Sequence, residues 1–251
     1  MHLHLNLILF LLNLIEEFQE FGKFLVTNNF LVLILKLMYI FYIMNFSYNR
    51  NKYVANKLGE LNGDKVLDIG CRDQVFKKYI KGIFEYTGID YNPNFSHQEN
   101  NQPKLINHNL ELGLPDGKQY DVINALDVLE HLENIHQLFG ELFVKSNKKI
   151  IIALPNMGYY KFRLKFLFQG EISGKYIFHK KKVYDRHRWI PNYPTILNFI
   201  KENKPDGWIQ KKYNFIADRK KNFVTYFLEK FLSKFLPGLF VYEVIFIFEK
   251  K

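Results

Sequence analysis

The most constraining feature of this sequence is residues 66–70, VLDIG, a short apolar run that carries one carboxylate and ends at a glycine. Such a run is typical of a fully buried strand that turns sharply at its end. Residues 73–80 have a helix-compatible composition, so we predict a strand, a glycine turn and a helix. In a parallel sheet this arrangement opens a crevice into which backbone N–H groups point. Asp68 and Gly70 are therefore candidate binding residues, with Asp68 placed to meet a ligand amine.

A second short strand is predicted over residues 86–90, and it also ends in an acid, Asp90. Asp90 follows Asp68 by 22 residues. This is close to the spacing of about 20 residues at which an acid reaches ribose hydroxyls in nucleoside-binding α/β folds. The two acids therefore predict a nucleoside-binding crevice at the ends of neighbouring strands.

After these two strands the chain alternates between short apolar runs and helix-compatible segments. Near-continuous apolar strands that alternate with helices indicate a parallel sheet covered on both faces. Residues 156–193 break the alternation, because they are rich in basic and aromatic residues and have few hydrophobic repeats. A loop of that length inside a compact domain is usually functional. Further strands are predicted at residues 104–107, 121–125, 149–154, 208–215 and 239–248, and helices at residues 47–61, 127–146, 195–203 and 223–235.

Composition limits the class of protein. Hydrophobic residues make up 48% and aromatic residues 17% of the chain, which argues against disorder. A single cysteine excludes a disulfide framework and a cysteine-based zinc cluster, and it favours a reducing compartment, which we expect to be the cytoplasm. The net charge of +10 favours anionic partners such as nucleic acid, phosphorylated metabolites or acidic lipid. A basic surface without a particular partner explains the same charge equally well.

Residues 1–44 differ from the rest of the chain, because they are strongly apolar and carry few charges. A membrane-spanning helix needs about 20 apolar residues, and Lys36 interrupts the apolar run at residues 30–46. A secretory signal fits poorly, since no Lys or Arg precedes the first apolar run. Three interpretations stay open. The segment is an upstream extension from a misplaced start codon, with Met38 or Met44 as the true start, or a membrane-associating hairpin, or a helical lid on the domain.

A resemblance to a known family is carried, in this order, by residues 66–71 (VLDIGC), 88–90 (GID) and 120–132 (YDVINALDVLEHL). Together they resemble the class I S-adenosylmethionine-dependent methyltransferases over about residues 45–251. The resemblance implies an α/β, Rossmann-like, doubly wound sheet of seven mostly parallel strands with an antiparallel last strand, here preceded by an apolar helical N-terminal extension. It implies two parts, the extension at residues 1–44 and a methyltransferase domain at residues 45–251 with a basic and aromatic insertion at about 156–193.

The resemblance implies S-adenosylmethionine as the cofactor. Asp68 would meet its amine, Asp90 its ribose, and Asn109 its adenine amino group, where the family more often has an aspartate. Asp127 either lines the rim of the cofactor site or caps the helix that follows. The cofactor-binding residues expected in this way are Asp68, Gly70, Cys71, Asp90, Tyr91, Asn109, Leu110, Leu126 and Asp127.

The sequence departs from the family pattern at Arg72 and Gln74, which stand where the family has its second and third glycines. A nicotinamide dinucleotide needs such glycines because its pyrophosphate presses against the backbone, so its binding is disfavoured. S-adenosylmethionine carries no phosphate, and we expect it to tolerate both side chains if they point away from the ligand and φ stays negative. The alternative is a domain that keeps the fold and has lost the ligand.

Two histidines are candidate catalytic residues. His187 lies between Arg186 and Arg188, whose charges disfavour its protonated form and so suit a general base. The arginines suit recognition of a carboxylate or phosphate, although a solvated basic loop explains the same cluster. The resemblance places Glu130 and His131 near the mouth of the active site, where His131 either catalyses or makes a structural hydrogen bond. The other histidines show no ligand spacing, so we predict no metal site.

We therefore expect methyl transfer from S-adenosylmethionine to a small-molecule or a glycan- or lipid-linked acceptor. The protein must align donor and nucleophile, exclude water, and remove a proton where the nucleophile has one. Nucleic acid is the less favoured acceptor, because residues 124–127 (NALD) lack the proline pair of base-methylating enzymes. Two alternatives come from other classes. One is a catalytically silent scaffold, and the other is an interaction protein that contacts a membrane surface through residues 1–46 and 223–235.

Overall fold

The structure is a computed structural model, and it describes residues 49–91, 104–115, 117–178, 180, 186–216 and 223–251. These residues belong to one compact unit, Phe46–Lys251. The predicted apolar extension at residues 1–44 lies outside the described residues, so its three interpretations stay predictions. No helix among the described residues combines the length and the apolar character that crossing a membrane requires.

One mixed sheet of seven strands forms the centre of the described structure. The strands are β1 Glu60–Ile69, β2 Lys81–Asp90, β3 Lys104–Asn107, β4 Tyr120–Leu126, β5 Ser146–Pro155, β6 Trp208–Phe215 and β7 Glu243–Lys250. Their order in the sheet is β3-β2-β1-β4-β5-β7-β6. Strands β1 to β5 pair in parallel, whereas β7 runs antiparallel to both of its neighbours, β5 and β6. The predicted Rossmann-like sheet with an antiparallel last strand is confirmed.

Alternation along the strands divides the apolar side chains between two cores, one on each face of the sheet. In β5, Ile150 and Ile152 belong to one core, and Ile151 belongs to the other. In β7, Phe246 joins the first core and Ile247 the second. The near-continuous apolar runs of these strands follow from this arrangement, because neither face is exposed to water.

Helices cover both faces of the sheet. The helices among the described residues are α1 Arg50–Leu58, α2 Ile135–Lys145, α3 Tyr160–Gln169, α4 Tyr193–Asn203, α5 Phe223–Leu232 and α6 Pro237–Phe240. Helices α2 and α4 pack on the face of Ile150 through residues such as Leu138 and Ile196. Helix α1 packs on the opposite face through Val54 and Leu58. The fold is therefore doubly wound, as predicted.

The predicted helix at residues 73–80 is wrong. This segment forms turns and a three-residue 3-10 segment, Lys77–Tyr79. The reason is the length of the strands, since the ladder between β1 and β2 runs from Glu60 opposite Lys81 to Ile69 opposite Ile89. The chain left between the two strands is too short for a regular helix and its two connections.

Two further segments differ from the prediction. The helix predicted over residues 127–146 is divided into a 3-10 segment, Leu129–His131, and α2, which begins at Ile135. The irregular insertion predicted at 156–193 contains the regular helix α3. This helix ends at Gly170, whose φ of 69° lies in the left-handed region that favours glycine. The glycine therefore marks the end of a helix that no hydrophobic repeat had indicated.

Close packing at β2 requires a glycine at position 88. A Cβ atom on Gly88 would lie 2.7 Å from Sγ of Cys71 and 2.9 Å from Cδ2 of Leu105. We expect Gly88→Ala to lower the free energy of unfolding in urea by about 1–3 kcal/mol, because overpacking displaces these neighbours. Gly140→Ala is the matched control, since an added Cβ meets nothing within 4 Å on α2 and alanine favours a helix. Equal stability of the two variants would contradict this account.

Candidate cofactor and active site

Three polar side chains meet at the carboxyl end of β1. Asp68 lies opposite Asn124 in the register with β4, and opposite Gly88 in the register with β2, two residues beyond Tyr86. The Tyr86 hydroxyl donates to one oxygen of the Asp68 carboxylate at 2.5 Å, and the Asn124 amide donates to the other at 2.6 Å. A carboxylate offers about four lone-pair positions. Asp68 is therefore oriented by its neighbours and retains acceptor capacity for a ligand amine.

The charge of Asp68 is sensitive to its surroundings. Burial raises the pKa of its carboxyl group to about 6, although the hydrogen bonds from Tyr86 and Asn124 oppose the change. The negative charge of Asp90 raises this pKa as well, whereas the positive charge of Arg50 lowers it. In the strand register Asp68 lies opposite Gly88, two residues before Asp90, so both acids stand at the same edge of the sheet; their sharing of a ligand stays a prediction. A bound ammonium group would stabilise the ionised form of Asp68.

The turn after β1 has the backbone conformation of a glycine-rich loop, although two glycines are replaced. Gly70 has a φ of 67°, and Arg72 and Gln74 have φ angles of 41° and 55°. The condition under which the cofactor was expected to tolerate these two side chains, a negative φ, is therefore not met. The N–H groups of Gly70 and Cys71 both donate to the carbonyl oxygen of Ile89, at 2.7 and 3.1 Å, and so impose the turn. Each left-handed residue other than glycine costs roughly 1 kcal/mol, and such strain concentrates at functional sites.

Asp90 stands at the end of β2 beside this turn. One of its carboxylate oxygens accepts a hydrogen bond from the Arg72 N–H at 2.8 Å, so the turn orients the acid. Tyr91 follows it and is exposed. Cys71 is buried, and burial together with the nearby charge of Asp68 raises the pKa of its thiol. Cys71 is therefore a packing residue and not a nucleophile at neutral pH.

Asn109 and Leu110 follow β3, next to the end of β2. The amide oxygen of Asn109 accepts a hydrogen bond from the Glu111 N–H at 3.1 Å, and this bond caps the 3-10 segment Leu110–Leu112. The side chain of Leu110 is buried. Asn109 thus has a structural bond, and its contact with adenine stays a prediction.

An ion cluster that the sequence analysis missed lies at the same edge of the sheet. Arg50, in the first turn of α1, donates to Asp127 and, at 2.9 Å, to Glu243. Asp127 directly follows Leu126, the buried last residue of β4. Glu243 begins β7 opposite Pro155, the last residue of β5, so it also stands at the carboxyl edge. Asp127 does not cap a helix, which leaves the rim of the site as its predicted place.

The two carboxyl groups of this cluster differ in proton affinity. Burial and the negative charge of Asp127 raise the pKa of Glu243 well above its usual range. Burial also acts to raise the pKa of Asp127, but the Arg50 guanidinium outweighs it and holds this pKa below its usual value. As the pH falls, Glu243 therefore takes up a proton before Asp127 does.

The two candidate histidines meet in the structure. The rings of His131 and His187 lie edge to face with centroids 4.5 Å apart. Oε1 of Glu130 is 3.8 Å from Nε2 of each histidine. Both histidines are candidates from the sequence, but their contact was not predictable, because nothing in the local pattern relates them.

Hydrogen bonds hold the segment that carries His187 against the segment that carries His131. The N–H groups of Arg188 and Trp189 both donate to the carbonyl oxygen of Glu130, at 2.9 and 3.3 Å. The Trp189 indole donates to the carbonyl oxygen of Leu132 at 2.6 Å. These contacts hold residues 187–189 against the end of β4, whereas the side chains of Arg186 and Arg188 are exposed, so the alternative of a solvated basic loop stays open.

Residues 46–159 match the family described as a methyltransferase domain. Among curated proteins, the chain is similar to the ubiquinone biosynthesis O-methyltransferase of Glaesserella parasuis serovar 5 (strain SH0165), with 28% identity over 102 residues. The matched region is 36% of this chain and 43% of that protein, so the chain spans less than half the length of this relative.

The solved structures that are similar to the chain include two methyltransferases. The small RNA methyltransferase HEN1 is 14% identical with a TM-score of 0.53, over 83% of this chain and 26% of that chain. The plantazolicin methyltransferase BpumL, in complex with a monoazolic desmethylPZN analog and SAH, is 18% identical with a TM-score of 0.48, over 80% of each chain. The first of these supports the fold alone.

Proposed function

We propose that this chain, whose residues 46–159 match the methyltransferase-domain family, is a class I S-adenosylmethionine-dependent methyltransferase that transfers the methyl group of that donor to a small-molecule or a glycan- or lipid-linked acceptor. The observation that carries the proposal is the pair of acids at the ends of β1 and β2. Asp68 lies opposite Gly88, two residues before Asp90, and the turn after β1 retains a left-handed backbone. The donor presents an ammonium group and a ribose, and each requires an acid.

The side chains at this edge fit the donor chemically. When bound, its sulfonium supplies an already reactive methyl group. Asp68 accepts from the ammonium group, and Asp90 offers its carboxylate to the ribose hydroxyls. Arg50, whose charge reaches Asp68, has five N–H donors and is suited to the donor carboxylate. A Cβ on Gly70 would lie 2.7 Å from Cγ2 of Val128, so the glycine is needed for the backbone to take this path.

The apolar part of the acceptor is suggested by the surface of α3. This helix follows β5 at the carboxyl edge of the sheet, and Leu167 and Phe168 are 72% and 78% exposed. Lys161 and Lys165 lie among these side chains. Exposed apolar residues interspersed with cations are typical of a surface that contacts lipid. This surface favours an acceptor with a lipid portion over a wholly polar one.

Donor binding tests the proposal directly. We expect the purified full chain to bind S-adenosylhomocysteine in calorimetry with a stoichiometry of about one and a dissociation constant in the micromolar range. Incubation with S-adenosylmethionine and a lipid extract should then yield products heavier by one methyl group in mass spectrometry. A polar metabolite extract is the parallel arm that separates the two acceptor types. No heat of binding at millimolar ligand would overturn the proposal.

A further inference from the structure

Glu130, His131 and His187 form a cluster of titratable side chains that has no role in binding the methyl donor. One ligand atom from each residue lies within 4.8 Å of the others. All three atoms belong to residues at the carboxyl edge, beyond the end of β4 and in the segment fixed on it. The cluster therefore brings a carboxylate and two imidazoles from separate parts of the chain to one point.

The hydrogen bonds of the two imidazoles determine which nitrogen faces the cluster. Nδ1 of His131 lies 2.8 Å from the carbonyl oxygen of Arg186, which can only accept, so this nitrogen carries a proton. The Tyr176 hydroxyl donates to the Trp189 carbonyl oxygen at 2.7 Å, and it lies 2.9 Å from Nδ1 of His187. Its single proton is used, so Nδ1 of His187 donates to it. In the neutral rings both Nε2 atoms therefore present lone pairs, and both lie 3.8 Å from Oε1 of Glu130.

Glu130 completes a set of electron-pair donors. Its side chain is fully buried, and neither carboxylate oxygen accepts a hydrogen bond from another described residue. A cation bound among the three groups would compensate the buried carboxylate of Glu130.

In place of the absence of a metal site predicted from the sequence, we propose that Glu130, His131 and His187 bind a divalent transition-metal ion, with Zn²⁺, Mn²⁺ or Co²⁺ as the class of ion. Two imidazoles and one carboxylate are ligands for these ions, whereas Mg²⁺ and Ca²⁺ prefer oxygen ligands alone. A tetrahedral ion with bonds of about 2.1 Å separates its ligands by about 3.4 Å. The two carboxylate–imidazole separations of 3.8 Å are close to this value, and all three ligand atoms lie within 4.8 Å of one another, so the side chains must draw together to hold the ion. The bonds from Nδ1 of each ring orient the ligands, as is usual around metal-bound histidines.

Three protein ligands leave at least one coordination position for a further oxygen. This part of the inference rests on the proposed function, because it assigns that position to the acceptor. A metal-bound hydroxyl loses its proton more readily at neutral pH, so the site would activate an alcohol or phenol acceptor. His187 would then act as a ligand and not as the general base expected from the sequence.

Metal binding can be measured without the methyl donor, so it is independent of the proposed function. We expect the purified full chain, stripped with a chelator and dialysed at pH 7.5, to bind one equivalent of Co²⁺. Binding should produce the visible absorption of a cobalt ion with nitrogen and oxygen ligands and should raise the Tm. His187→Ala should weaken Co²⁺ binding on the order of 100-fold or more, and His136→Ala, which removes an exposed histidine from α2, should leave it unchanged.

Glu130→Gln distinguishes the loss of a metal ligand from unfolding of the variant. The substitution retains the shape and removes the buried charge, so the metal-stripped variant should be at least as stable as the stripped wild type. It should gain no Tm from Co²⁺. Co²⁺ binding that is equal in the wild type and Glu130→Gln would overturn the proposal. Absence of binding at one equivalent in the wild type would also overturn it, and would mean that the cluster holds a proton.

Discussion

Replacing Asp68 with asparagine is expected to weaken binding of S-adenosylhomocysteine on the order of 100-fold, because a charge-assisted hydrogen bond to the ligand ammonium is lost. The variant should fold, since the Tyr86 hydroxyl can turn to accept from the new amide. Calorimetry at pH 7.5 measures the effect. Asp73→Asn removes the same charge from an exposed position in the same turn, and it should bind the ligand like the wild type.

The pH dependence of binding provides a second measurement on this residue. The pKa of Asp68 is about 6, so its carboxyl group is mostly neutral at pH 5 and ionised at pH 7.5. We expect the wild-type affinity for S-adenosylhomocysteine to fall about tenfold between pH 7.5 and pH 5. Asp68→Asn should show no such dependence in that range. A parallel fall in both proteins would contradict the role assigned to Asp68.

The same substitution should have the opposite effect on stability. The pKa of Asp68 is raised from its ordinary value of 3.8 to about 6 in the folded protein. The protonated carboxyl group therefore stabilises the fold fully below about pH 3.8, and this contribution is lost as the pH rises through 6. The asparagine side chain of the variant cannot ionise. At pH 8 the free energy of unfolding of Asp68→Asn should therefore exceed that of the wild type by about 2 kcal/mol. The difference should diminish towards pH 4. Such a gain in stability with a loss of binding is typical of a functional residue.

Replacing Arg50 with methionine is the second large effect, and it acts on stability. Arg50 is the cation shared by Asp127 and by the fully buried Glu243. Its removal leaves two carboxylates together without compensation, and we expect the free energy of unfolding in urea to fall by about 3–5 kcal/mol. Lys52→Met removes a charge from the exposed side of the same helix, and its effect should stay within about 0.5 kcal/mol.

Two further measurements distinguish the loss of charge compensation in Arg50→Met from a simple loss of packing. In the double variant Arg50→Met with Glu243→Gln, one of the two uncompensated charges is gone, so most of the lost stability should return. The deficit of Arg50→Met should also shrink as the pH falls, because Glu243, whose pKa is already raised, takes up a proton. A deficit that is the same at pH 5 and pH 8, and is not restored in the double variant, would indicate packing instead of charge.

Much of the fold was predictable because its determinants are local. Strands β3 and β6 have the predicted bounds, residues 104–107 and 208–215. Alternation and burial are properties of adjacent residues, so a short window of sequence contains them. The placement of Asp68 and Asp90 at one edge of the sheet was predictable for a related reason. Asp68 and Asp90 end neighbouring parallel strands, and the carboxyl ends of such strands meet at one edge.

Local patterns in the chain were enough to specify the alternation that buries both faces of the sheet, the turn at Gly70, and the acids at the strand ends. Contacts between residues far apart in the sequence depend instead on how the whole chain packs. Arg50 and Glu243 are 193 residues apart and meet because the strand order places β7 beside β5. His187 reaches Glu130 because residues 186–189 pack across the end of β4. The physical reason is that periodicity specifies which face a side chain occupies, whereas its partners, its burial and its pKa arise from contacts between segments far apart in the chain.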